Sequence, residues 1–117
     1  MVCRPLLRLA LVSRENRLSC HALVDSGADD CVFPLSFMQP LGLNPLVTPK
    51  EATGGIGGTN HFANISIDVQ GLVRFPVYAA FNERLDPAGH GLLGQWGFFS
   101  RFKLHFRLSE NIYVIED

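Results

Sequence analysis

The sequence predicts an all-β domain, a closed or partly open barrel with one short helix near its C-terminal end. Short apolar runs, roughly seven or eight of them, recur along the whole chain between clusters of Gly, Pro, Asn and Asp. Several alternate at period two, "ANISIDV" (Ala63–Val69) most plainly. A single stretch, Gln95 to Phe102, has the spacing of a short amphipathic helix. The chain has 117 residues, 47% apolar and 18% charged. That fits one domain over residues 1–117, with an apolar surplus available for an interface as well as a core.

Taken in order, "LLRLALV" (Leu6–Val12) is a strand, "SREN" (Ser13–Asn16) a polar turn and "RLSCHALV" (Arg17–Val24) the returning strand of a hairpin. This hairpin runs straight into Asp25. "CVF" (Cys31–Phe33) begins a buried strand that Pro34 ends, and residues 35–41 have room for one or two helical turns before Pro40 and Gly42 stop them. Four glycines, Gly54, Gly55, Gly57 and Gly58, surround Ile56, and "ANISIDV" follows as a strand. "GLVRFPVYAAF" (Gly71–Phe81) is either a strand pair or one long bent strand. After the helical stretch, Leu104 and Phe106 alternate into a strand, and "NIYVIED" closes the chain as another.

Composition excludes several function classes. The net charge is −1, and no Lys/Arg cluster marks a nucleic-acid or membrane surface. The cysteines, Cys3, Cys20 and Cys31, are odd in number and form no C-x-x-C, which suits reduced thiols rather than a disulfide framework or zinc site. The four histidines stand singly, so neither metal nor other cofactor is expected. Cys20 and His21 are adjacent on a strand and point to opposite faces, so they do not form a thiol–imidazole pair. The N-terminal apolar run is broken by Arg8 and is too short for a secretory signal, which makes a cytoplasmic location the expectation.

The chemistry centres on "ALVDSGADDCVFP" (Ala22–Pro34). Asp and Ser favour turns and Gly supplies positive φ, so an isolated Asp-Ser-Gly ordinarily marks a loop. Here Leu23 and Val24 precede it and Val32 and Phe33 follow it. The turn is therefore pinned between two core strands, where a carboxylate carries a desolvation cost.

"ALVDSGADD" resembles the active-site signature of the retropepsin-like aspartic proteases. Three further segments follow the order of that family. "RPLL" (Arg4–Leu7) matches the entry to its first strand, and "TGGIGG" (Thr53–Gly58) is similar to its glycine-rich flap tip. "GLLG" (Gly91–Gly94) resembles the aliphatic-Gly signature that packs behind the catalytic loop and precedes the short helix. "LLGQWGFFSRFKLHF" is similar to the small predicted bacterial proteases of this type. The resemblance spans essentially the whole chain and implies an acid-protease-type barrel.

It also implies an aspartic endopeptidase that is active as a homodimer on protein or peptide substrates. The chain carries one such Asp-Ser-Gly, so Asp25 would meet its counterpart across a two-fold axis. In that arrangement Ser26 braces the paired loops and Gly27 lets substrate backbone approach. Ala28, Asp29 and Asp30 line the substrate, the last two binding its amides. Gly54, Gly55, Ile56, Gly57 and Gly58 form the covering flap. Three departures stand out: Gln95 replaces the Arg usual after the aliphatic-Gly pair, three residues precede "RPLL", and Ser26 and Cys31 stand where Thr is commoner. Arg4 or Arg101 would take over the bracing task. The alternative expectation is a catalytically weak or inactive dimeric peptide-binding module on the same fold.

Overall fold

The computed structural model describes residues 6–25, 30–52, 56–69, 73–94, 103–107 and 112–116. Within these residues are nine strands and two three-residue 3-10 turns. Strands β1 (Leu6–Ser13) and β2 (Asn16–Val24) form the expected hairpin, joined by the two-residue turn Arg14–Glu15, with Ser13 facing Asn16. Arg14 holds φ at 55°, a conformation that favours glycine. Strand β3 (Val32–Pro34) is buried throughout and ends at Pro34, as expected. A 3-10 turn, Leu35–Phe37, follows, and the chain continues in turns rather than a second helical turn, closed by Leu41 N–H to Met38 O (3.1 Å) and Leu43 N–H to Met38 O (2.9 Å).

Strand β4 (Lys50–Ala52) precedes the glycine segment, and β5 (Thr59–Val69) leaves it. Of the two alternatives for Gly71–Phe81, the structure supplies one continuous strand, β6 (Val73–Asn82). It runs through Pro76 because β3 pairs only with Ala80–Asn82, so at Pro76 the β3 side has no ladder to break. A second 3-10 turn, Glu83–Leu85, leads to β7 (Gly91–Leu93). Strands β8 (Lys103–Arg107) and β9 (Ile112–Glu116) pair antiparallel as a separate two-stranded sheet. The predicted helix, Gln95–Phe102, lies outside the described residues, as do Arg4 and Arg101.

Six strands close a barrel in the order β1-β2-β7-β3-β6-β5, with β5 returning to pair with β1 and β4 added beyond β5. The β2–β7 and β3–β6 contacts are parallel, and the others in the barrel are antiparallel. The interior follows the period-two rule of strands. Leu7, Leu9 and Leu11 of β1 meet Ile65 and Ile67 of β5, Phe75 and Phe81 of β6, Phe33 of β3 and Leu93 of β7 in one cluster, with Met38 and Leu41 added from the loop.

A Cβ on Gly91 would overlap the Phe33 ring and lie 3.0 Å from Val32 O, so β7 fits its slot only without a side chain there. Gly91→Ala is therefore expected to cost about 1–3 kcal/mol by overpacking. Gly89→Ala has nothing within 4 Å of the new Cβ and bears only the backbone cost of its φ of +72°, about 1–2 kcal/mol. Urea unfolding of the two variants, with Gly91→Ala/Phe33→Leu as the coupled control, measures the difference. A Gly91→Ala protein as stable as wild type contradicts the packing described.

Candidate functional site

Asp25 is the first residue beyond β2. Its approach is set by the parallel ladder of β2 with β7, in which Ala22, Leu23 and Val24 face Gly91, Leu92 and Leu93. The ladder extends one step further, because Asp25 N–H donates to Leu93 O at 3.0 Å. The carboxylate-bearing residue is half-buried, as is Asp30 where the chain is next described. The returning arm is held equally firmly. Cys31 O accepts from Ala80 N–H at 2.9 Å, and Val32 faces Leu92 on β7 and Ala80 on β6. Strand β7 thus lies between the two arms of the Asp-Ser-Gly loop, β2 on one side and β3 on the other. Ser26, Gly27, Ala28 and Asp29 lie outside the described residues.

Alternation along these strands gives the sheet a second apolar face. Cys31, Phe33, Ala79, Phe81 and Leu93 point into the barrel, while Val32, Ala80 and Leu85 form a separate buried cluster joined by the partly buried Phe62 and Leu92. Phe62 also stacks on Tyr78, ring centres 5.2 Å apart and planes 12° from parallel, and Tyr78 is half exposed. An apolar surface therefore borders the arm that leads away from Asp25.

The glycine segment is the connection of an antiparallel strand pair, in which Lys50, Glu51 and Ala52 of β4 face His61, Asn60 and Thr59 of β5. Gly54 and Gly55 lie outside the described residues. Ile56 is exposed at 42%. Gly57 and Gly58 hold φ of 84° and 70°, so both use the conformational freedom that glycine brings to such a segment. The residues that receive this segment carry no motif in the sequence. Asn82, fully buried, donates through Nδ2 to Gly57 O and to Asn60 Oδ1, both at 2.9 Å. Glu83 accepts from Thr59 N–H at 3.2 Å. The one local signal for Asn82 is its place before a short helical turn, where its Oδ1 caps Arg84 N–H at 2.8 Å; its partners 25 and 22 residues away leave no local trace.

Neither a protein-family model nor a curated protein matches the chain. Among solved structures, a retropepsin-like aspartic protease from Rickettsia conorii superposes with a TM-score of 0.59 at 18% identity, covering 98% of this chain and 95% of that one. The chain has the retropepsin-like fold. The retroviral protease-like domain of Ddi1 from Leishmania major gives the same TM-score at 17% identity, covering 97% of this chain and 90% of that domain.

The buried cysteines belong to the barrel interior. Cys20 and Cys31 are buried and not joined in a disulfide. Cys20 points into the core while His21 is exposed, so the two face apart as the strand pattern requires. Burial pushes the Cys20 thiol up from 9.0 to about 12. The folded protein thus holds this proton more tightly than the unfolded chain, so the stabilisation is complete below pH 9.0 and is lost as pH rises toward 12. Unfolding free energy is expected to fall across that window, with a shallower fall in Cys20→Ala. Equal slopes in the two proteins, measured by urea unfolding at stepped pH, contradict the assignment.

Proposed function

We propose that the chain is an aspartic endopeptidase that works as a homodimer, with Asp25 of each subunit meeting at a two-fold axis. The observation that carries this reading is the position of Asp25. It leaves β2 in an Asp-Ser-Gly segment, tied to Leu93 O, in a chain whose retropepsin-like fold extends over nearly its full length. The Rickettsia conorii neighbour is an aspartic protease, which supports the same chemistry here.

The reaction needs two carboxyl groups in contact, one ionised and one protonated. Like charges that close cannot both ionise, so the pair shares one proton. The carboxylate takes a proton from a bound water as its oxygen attacks the scissile carbonyl carbon. The carboxylic acid gives its proton to the carbonyl oxygen. The tetrahedral diol then collapses, a proton passes to the amide nitrogen, and the C–N bond breaks to leave acid and amine. One chain supplies one Asp25, so the symmetric partner supplies the second group. Ser26 braces the loops, Gly27 admits the substrate backbone, and Ala28, Asp29 and Asp30 line it. The segment Gly54–Gly58, with Ile56 as its apolar contact, covers the extended peptide and excludes water. The partly buried Leu92 and Phe62, packed on Val32, support a preference for apolar substrate side chains.

The second reading is a dimeric peptide-binding module without activity, favoured by Gln95 in place of the usual Arg. One experiment separates them. Wild type, Asp25→Asn and Asp25→Ala are incubated with unfolded protein substrates over a range of pH, with pepstatin as a second readout and sedimentation to record association. The endopeptidase reading expects pepstatin-sensitive cleavage by a dimeric wild type and a loss of about 10³-fold or more in both variants. Equal cleavage by all three proteins removes Asp25 from the chemistry, and a dimer that cuts nothing favours the module.

A further inference from the structure

The geometry points to a latch formed by Asn82 and Glu83, which holds the trailing arm of the glycine segment against the end of β6; on the endopeptidase reading, this fixes the cover over Asp25. The β5–β6 backbone ladder has its last pair at Asn60 and Asn82. Side chains carry the contact three residues further. Both Nδ2 hydrogens of Asn82 are used, one on Gly57 O and one on Asn60 Oδ1, and its Oδ1 is used by Arg84 N–H. Glu83 extends the grip to Thr59 N–H with its two oxygens at 3.2 and 3.4 Å.

Gly58 is fitted to this grip. A Cβ there would lie 2.5 Å from Glu83 Oε1 and 2.8 Å from Asn82 Oδ1, so the latch occupies the space that any side chain would need. Arg84 borders the same stretch: a Cβ on Gly57 would lie 3.6 Å from its Nε. The consequence reaches Asp25 through hydrogen-bonded strands. Asn82 ends β6, Ala80 of β6 donates to Cys31 O, and β3 pairs with β7, whose Leu93 O receives Asp25 N–H. A covering arm tied to that frame keeps a fixed relation to the carboxylate. Asn82 and Glu83 are then positioning residues, acting through Gly57–Asn60. This role in catalysis rests on the endopeptidase reading; the latch itself does not.

The test uses amide hydrogen exchange by NMR on full-length Asp25→Asn protein, which removes self-cleavage from the measurement. Asn82→Asp removes both donations and sets an acceptor against Gly57 O, while keeping the Arg84 cap. Glu83→Ala removes the acceptor for Thr59 at an exposed position, and Glu83→Gln keeps one. Exchange at the amides of residues 57–60 is expected to rise about tenfold or more in Asn82→Asp and Glu83→Ala. It should stay near the parent rate in Glu83→Gln, with core amides of β1 and β6 unchanged in Glu83→Ala. No rise at 57–60 in Glu83→Ala, or a uniform rise across the barrel, overturns the latch, and it does so even where Asn82→Asp fails to fold. In the Asp25-containing protein, kcat/KM for a peptide should fall about tenfold in Glu83→Ala and recover in Glu83→Gln. A local exchange change in a protein that cuts nothing leaves the latch standing and removes the endopeptidase reading; cleavage with unchanged exchange does the reverse.

Discussion

The three residues of β7 have to lie between β2 and β3, and the rest of the architecture follows from that constraint. On one edge Gly91–Leu93 runs parallel to β2 and extends the ladder to Asp25; on the other it meets β3 at Val32. The slot is narrow because Phe33 stands against Gly91, and it is sealed by Leu93, which is completely buried. A strand of three residues contributes few hydrogen bonds of its own. Its position is fixed by packing on both faces, Leu93 in the barrel and Leu92 in the outer cluster. The two arms of the Asp-Ser-Gly loop thereby acquire a common support, and their separation is set by one intervening strand.

The same molecule handles its polar groups in two ways. In the barrel, burial is almost wholly apolar: Leu11, Ile67, Phe33, Phe75 and Phe81 are at most 1% exposed, each such side chain being worth about 1.5–3 kcal/mol. At the end of β6 a fully buried asparagine instead commits its donors and its acceptor to backbone and side-chain partners. Burying an amide without partners costs a few kcal/mol, so a satisfied Asn82 is specific in a way an aliphatic residue at that corner is not. It recognises one backbone carbonyl and one particular amide side chain.

Much of this is legible in the sequence for physical reasons. The segments that form β2, β5 and β6 are amphipathic on a half-buried surface over much of their length, so period two survives in the residues themselves, and β1 is legible by its aliphatic run. Pro34 ends β3 because it cannot extend a ladder on both sides. What is illegible depends on partners distant in sequence. Strand β4, Lys50–Ala52, is exposed throughout and has no apolar pattern; it is a strand because β5 lies beside it. Barrel closure through three β1–β5 pairs leaves no local sign, since β1 is apolar on both faces there in any case. The polar run Ser13–Asn16 suggests a four-residue turn, whereas Ser13 and Asn16 are paired and Arg14 accepts a left-handed φ that usually goes to Gly. At the candidate site, Asp25, Gly57 and Gly58 stand out by residue type, while Asn82 and Glu83 matter only through what they reach.

A single aspartate cannot both remove a proton from water and supply one to a carbonyl oxygen at the same moment. The proposed chemistry therefore requires two copies of Asp25, and the most direct measurement asks whether activity belongs to the pair. Wild type and Asp25→Asn protein are mixed in varied proportion at constant total concentration, allowed to exchange subunits, and assayed for peptide cleavage. If both acids are needed, activity follows the square of the wild-type fraction. Activity that follows the fraction linearly means each chain acts alone, and contradicts the account.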